Sequence, residues 1–94
     1  MVTALILLTV ARGRVNEVAE RLAALPGVAE VYSVAGRYDL AAVIRVERND
    51  DLAELVTRHM VELDGIQATE TLIAFRAFSK ADIDAGFSLG GTDL

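Results

Sequence analysis

Gly36-Arg37-Tyr38-Asp39, followed by the apolar run from Leu40 to Val46, is the stretch on which the fold turns. It lies between two segments that read as copies of each other. Leu25-Pro26-Gly27-Val28 closes a helical pattern and opens a strand, and Leu63-Asp64-Gly65-Ile66 does the same 38 residues on, at 63 against 25. The same offset carries Val18 onto Val56, Leu22 onto Met60, Ile6 onto Ile44 and Leu8 onto Val46. A chain that repeats strand–helix–strand twice, with one tight loop between the halves, encodes a split βαβ fold. That loop also carries the densest polar and aromatic cluster, so it is the first place to look for function.

Outward from the loop, Val2 to Val10 reads as a strand with apolar residues on both parities, the pattern of a strand covered on both faces. Val15, Val18, Ala19, Leu22 and Leu25 follow helical spacing, with Arg14, Glu17, Glu20 and Arg21 opposite them. Pro26-Gly27 stops this helix. Residues 28–35 form a second strand and 39–47 a third, joined as an antiparallel hairpin. Asn49-Asp50-Asp51 with Glu54 is a helix start, its acids placed on free amides at the positive end of the helix dipole. Leu52, Leu55, Val56, Met60 and Leu63 form the second apolar stripe, and a long fourth strand is expected over 66–78. The predicted architecture is α+β, a ferredoxin-like βαββαβ sandwich. A four-stranded antiparallel sheet carries two helices on one face, with the first and third strands central. Residues 1–78 make the domain. Residues 79–94 have no sustained period and are expected to be a partly disordered tail, with Ile83, Phe87 and Leu89 as anchors on a neighbour.

Composition narrows the function. At 94 residues the chain is one domain, yet 53% of it is hydrophobic. With both helices on one side, the other sheet face is left apolar, and a second subunit is the expected cover. The net charge of −5 argues against a phosphate-backbone binder. The absence of cysteine excludes disulfides, thiolate metal sites and Cys nucleophiles. Met1 to Val10 is too short to span a bilayer and lacks the basic start and cleavage site of a signal peptide. Cytoplasmic placement without membrane attachment is expected.

Few residues suggest chemistry. His59 is the only histidine, borders the second stripe, and reads as a packing residue on the helix flank; no metal or cofactor is expected. Ser33, Ser79 and Ser88 lack the flanking glycines of a nucleophile elbow. Asp50-Asp51 is explained by capping, and Gly86, Gly90 and Gly91 lack the Lys-Ser/Thr and strand–helix context of a phosphate loop. There remain Tyr32, Gly36, Tyr38 and Asp39 around the loop, and Thr69 and Thr71 on the fourth strand. In the plain reading Gly36 serves the turn, Asp39 bonds loop amides and the threonines are strand formers. In the functional reading glycine amides and hydroxyls hold an α-carboxylate, and a carboxylate holds an α-ammonium. Strand parity puts Thr69 and Thr71 on one face, but does not say which.

Gly36-Arg37-Tyr38-Asp39-Leu40, an apolar strand, a helix, Leu63-Asp64-Gly65-Ile66 and Thr69-Glu70-Thr71-Leu72-Ile73 together resemble the effector domain of the Lrp/AsnC regulators, the leucine- and asparagine-responsive transcription factors. That domain is called RAM. The segment from Ile66 to Ile73 is especially similar to the asparagine-responsive branch. The resemblance covers roughly residues 1–78 and implies a non-enzymatic, amino-acid-sensing domain. It implies a homodimer formed through the sheets, assembled further into rings such as octamers. It implies an amino-acid effector bound between dimers, with Tyr32, Gly36, Tyr38 and Asp39 from one subunit and Thr69 and Thr71 from a neighbour. Family members usually carry a helix-turn-helix domain before this one. The chain therefore resembles the stand-alone form, expected not to bind DNA directly and to have a full-length family regulator as a partner. The competing readings are an ACT-type regulatory subunit with the same element order, a small dimeric α+β-barrel enzyme such as a monooxygenase, and an assembly module without a ligand.

Overall fold

The computed structural model describes residues 1–80. The expectations for Ile83, Phe87, Leu89 and the glycines beyond lie outside the described residues. The elements run β1 (Val2–Val10), α1 (Val15–Ala23), β2 (Val28–Ser33), β3 (Leu40–Val46), α2 (Asn49–Glu54) and β4 (Ile66–Ile73). The sheet order is β2-β3-β1-β4, with every neighbouring pair antiparallel. This is the four-stranded ferredoxin-like arrangement with β1 and β3 at the centre.

One parity of each central strand makes the core. Ala4, Ile6, Leu8 and Val10 of β1 and Leu40, Ala42 and Ile44 of β3 are buried, and pair directly across the ladder as Ala4 with Ile44, Ile6 with Ala42 and Leu8 with Leu40. Val18 and Leu22 of α1 pack onto them from one side, joined by Leu52, Leu55 and Met60. The copied turns behave alike. Gly27 and Gly65 have φ of +92° and +101°, a conformation that disfavours any residue with a Cβ.

Two boundaries differ from expectation. β4 ends at Ile73 rather than near residue 78, because β1 is its only partner among the described residues. Ile73 lies opposite Ala4, Ala74 N–H donates to the Thr3 carbonyl at 2.9 Å, and β1 then runs out. The second difference is in α2. After Glu54 the helix widens into a π turn over Leu55–His59 and tightens into a 3-10 turn over Met60–Glu62. The Thr57 hydroxyl donates to the Ala53 carbonyl at 2.7 Å, a side-chain bond of the kind that competes with the helix ladder. The extra residue slips the repeat. Val56, aligned by sequence with fully buried Val18, is only half-buried, and Leu55 takes the core position. At the helix start the acids act one step later than a simple Asp cap. Arg48 is the capping residue, and Asp51 accepts from its backbone N–H at 3.2 Å.

Candidate functional site

The β2–β3 loop is tied to the sheet by Asp39. Its backbone N–H donates to the Leu8 carbonyl at 2.8 Å, and its carbonyl accepts from Val34 N–H at 3.1 Å. Its side-chain Oδ2 accepts from Val10 N–H at 2.8 Å. Here β3 has ended, so the carboxylate supplies the acceptor that the strand would have given to the last residue of β1. Gly36 stands at the loop tip with φ +130° and open space where a Cβ would be, so the requirement there is conformational rather than steric.

Tyr38 turns its hydroxyl to β4 and donates to a Glu70 carboxylate oxygen. The Arg37 guanidinium lies 5.8 Å from the centre of its ring. This hydrogen bond, then partial burial and the nearby charge of Glu70, raises the Tyr38 pKa above the ordinary phenol value. Tyr32 on β2 is raised in the same way by Glu30.

The register assigns the faces. Thr69, Thr71 and Ile73 lie opposite Leu8, Ile6 and Ala4, so they share the helix-bearing face. Glu70 and Leu72 lie opposite Leu7 and Leu5 and share the other face. Ala41 and Val43 join them there through the β1–β3 register, and Tyr32 and Glu30 join through the β2–β3 register. That face has an apolar centre of Leu5, Leu7, Ala41, Val43 and Leu72, with a tyrosine–carboxylate pair toward each side. Among the described residues no helix covers it, and Leu5 is 41% exposed.

The six candidate residues therefore divide among the loop and the two sheet faces within one copy. Gly36, Tyr38 and Asp39 are neighbours in one loop. Thr69 and Thr71 sit on the opposite sheet face. Tyr32 and Thr71 occupy the two edge strands, three strand spacings or about 14 Å apart. Glu70 belongs to the Thr69-Glu70-Thr71 motif, but its pairing with a loop tyrosine across the width of β1 has no signature in local sequence.

Hollows flank the sheet among the described residues. One of about 600 Å³ lies between Pro26-Gly27, the β3–α2 connection and His59. His59 is half-buried there, at the end of the π turn. A groove of about 300 Å³ runs between Val56, Met60, Val61 and Leu63 and the start of β4, including Thr69. Among the described residues no group of three or more His, Cys, Asp or Glu is placed to hold a metal, and no helix is long and apolar enough to cross a membrane.

A model of the Lrp/AsnC ligand-binding domain matches residues 3–82. An uncharacterized HTH-type transcriptional regulator of Pyrococcus horikoshii, PH1916, is 37% identical over 60 residues, which are 64% of this chain and 40% of that protein. The HTH-type transcriptional regulator FL11 of Pyrococcus furiosus is 31% identical over 75 residues, covering 80% of this chain and 49% of that one. The chain thus spans two fifths to half the length of these curated relatives. The crystal structure of TTHA0845 from Thermus thermophilus is 45% identical with a TM-score of 0.80, covering 85% of this chain and all of that one. A feast or famine regulatory protein from M. tuberculosis, complexed with L-methionine, shares the fold at 21% identity, with a TM-score of 0.69, over 85% of this chain and 54% of that one.

Proposed function

This chain belongs to the Lrp/AsnC ligand-binding domain family, and on that premise we propose that it is a non-enzymatic sensing domain that binds a small amino acid between subunits. The observation that carries the reading is the separation of the candidate residues. Tyr32 lies on β2 and Thr69 and Thr71 on β4, at opposite edges of the sheet and on opposite faces, while the loop residue Tyr38 reaches β4 only at Glu70, on the other face from the threonines. A small ligand that needs both Tyr32 and Thr71 can meet them where two copies adjoin. The loop of one copy supplies turn amides and carboxylates. The β4 threonines of another supply hydroxyls and strand-edge amides. Such a setting satisfies both ends of a zwitterion. The family description supplies the idea of a ligand, and the fold neighbour that holds L-methionine supplies an example of its class.

The uncovered sheet face supports assembly. Its apolar centre and polar, tyrosine-bearing rim have the anatomy of a protein interface. A homodimer through this face, burying on the order of 2,000 Å² in all, removes the exposed apolar surface. Further association into rings brings loop and strand groups together. With a net charge of −5, the domain is proposed to act through assembly with itself or with a full-length family regulator rather than by gripping duplex DNA.

The test is a thermal-shift screen of the twenty amino acids. At about 100 times its dissociation constant a ligand stabilises the folded state by roughly 2.7 kcal/mol, a shift of about 10 °C or more for a domain of this size. Thr71→Val should weaken the response while leaving the unliganded Tm close to that of the parent. If no amino acid moves the Tm, the sensing reading fails and a ligand-free assembly module takes its place.

A further inference from the structure

The end of β2 and β3 away from the loop holds the larger hollow. Leu40 opens β3 beside the loop and Val46 closes it beside the hollow, six strand steps or about 20 Å away. At about 600 Å³ the hollow is within the range of small-molecule sites. Its inner wall is apolar, made by Gly27, half-buried Val46 and buried Leu55. The Gly27 carbonyl accepts from Arg45 N–H at 2.9 Å, and a Cβ at Gly27 would stand 2.7 Å from Val46 Cγ1. The turn and the end of β3 are thus pressed into one fixed wall.

Two departures from regular geometry meet at this wall. The β2–β3 register shifts between Val28 and Glu30, a bulge just past Gly27. The π turn starts at Leu55 and ends at His59, and both residues line the hollow. Bulges and π turns give up regular pairing and are over-represented at functional sites, where they re-aim side chains. His59, the chain's one histidine, is half-buried here, and its imidazole has no hydrogen bond or ion pair among the described residues. The charges of the rim are unequal. Glu47, Asp50, Asp51 and Glu54 line it together with Arg48. Arg45 lines it too, but it shares the parity of Val43 and its charge is felt by Tyr32, so its guanidinium belongs to the uncovered sheet face. Asp51 is engaged with Arg48, through the guanidinium at 3.9 Å and the backbone N–H at 3.2 Å, and Glu54 with Arg58 at 2.9 Å. Glu47 and Asp50 have no cationic partner among the described residues.

We propose that this hollow is a binding site for a small organic ammonium ion with an apolar body. The hydrocarbon part rests on Val46 and Leu55, the ammonium group faces Glu47 and Asp50, and the His59 imidazole lies alongside. An anion would find one guanidinium, already paired, against four carboxylates. A bare metal ion finds no group of three ligating side chains among the described residues. A cation with a hydrocarbon body uses both the wall and the unpaired carboxylates. The site is independent of the amino-acid reading above. Its residues belong to neither the β2–β3 loop nor β4, and its ligand needs no carboxylate.

A single histidine makes the experiment direct. The His59 imidazole C2–H resonance is followed by proton NMR on the full chain, at constant pH and ionic strength, during titration with butylammonium, methylammonium, butyrate or butanol. Butylammonium is expected to move it saturably in the millimolar range, and methylammonium more weakly, because it has less hydrocarbon to bury. Butyrate and butanol should leave it close to its starting position. Glu47→Gln and Asp50→Asn should each weaken butylammonium binding about two- to fivefold, the worth of an exposed ion pair, and the double variant more. Glu20→Gln, an exposed carboxylate of α1 outside the hollow, should change nothing. Cooperative thermal unfolding establishes that each variant is folded. The proposal is overturned if butylammonium gives no saturable shift, if butyrate or butanol moves His59 as strongly, or if the folded double variant binds like the parent. Equal affinity for methylammonium and butylammonium would overturn the role given to the apolar wall.

Discussion

Asp39 has two tasks that a single substitution would confuse. Its carboxylate completes the ladder for Val10 N–H, at a residue only 6% exposed, and it is also the proposed counter-charge for an ammonium. Asp39→Ala leaves that amide without its partner and should destabilise the fold by about 1–3 kcal/mol, read by denaturant unfolding. Asp39→Asn keeps an acceptor oxygen and should retain most of the stability, so any loss of ligand response in that variant belongs to the charge. Tyr38 gives a second test. Its pKa is raised in the fold by the hydrogen bond to Glu70, so the stabilisation is present below the unfolded value of about 10 and is lost as pH rises through the folded value. In a spectrophotometric tyrosinate titration, Glu70→Ala should bring one of the chain's two tyrosines back toward ordinary behaviour and leave the other late. No change on removing Glu70 would mean that the pair does not persist in solution.

The turn glycines show how an element is held in place. Gly13 and Gly27 both have positive φ, +82° and +92°, but a Cβ at Gly13 meets nothing within 4 Å, whereas one at Gly27 comes 2.7 Å from Val46 Cγ1. Gly13→Ala should therefore cost about 1 kcal/mol from conformation alone. Gly27→Ala should cost about 2–3 kcal/mol, because β3 must also give way. Equal losses in paired unfolding curves would show that Val46 moves aside freely. The repeat of Gly27 at Gly65, the stripes Val18-Leu22 and Leu52-Leu55-Met60, and the alternate burial of β1 were all legible, because period and offset are properties of sequence. The π turn was not, since Leu52, Leu55, Val56, Met60 and Leu63 satisfy the spacing with or without an extra residue. Nor was the end of β4, which is set by where β1 stops rather than by its own propensity. Within the site, parity gave the shared face of Thr69 and Thr71. That this is the helix-bearing face required the register with Ile6 and Leu8.

At the scale of the whole molecule, the single copy is unfinished. Among the described residues one sheet face is apolar and uncovered, the edge strands β2 and β4 each lack an outer partner, and the candidate ligand groups are divided among the loop and the two sheet faces. Leu5, Leu72 and Phe75 are exposed among the described residues. A stable 10.1 kDa monomer in light scattering would remove the basis of the proposed function. The acidic chain should also fail to shift random or promoter duplexes in a low-salt mobility assay, whereas saturable, salt-sensitive binding would show that it carries a nucleic-acid surface. The central claim, a ligand held between copies, is tested most directly by complementation once the screen has identified an amino acid. Gly36→Val disables the loop half, Thr71→Val weakens the strand half, and each variant alone should bind poorly in calorimetric titration. The two are then mixed, allowed to exchange subunits, and titrated again. The account predicts that part of the binding returns, because some boundaries now join an intact loop to an intact strand. Binding in the mixture no better than the average of the two variants, with exchange verified, would place the whole site within one copy and contradict it.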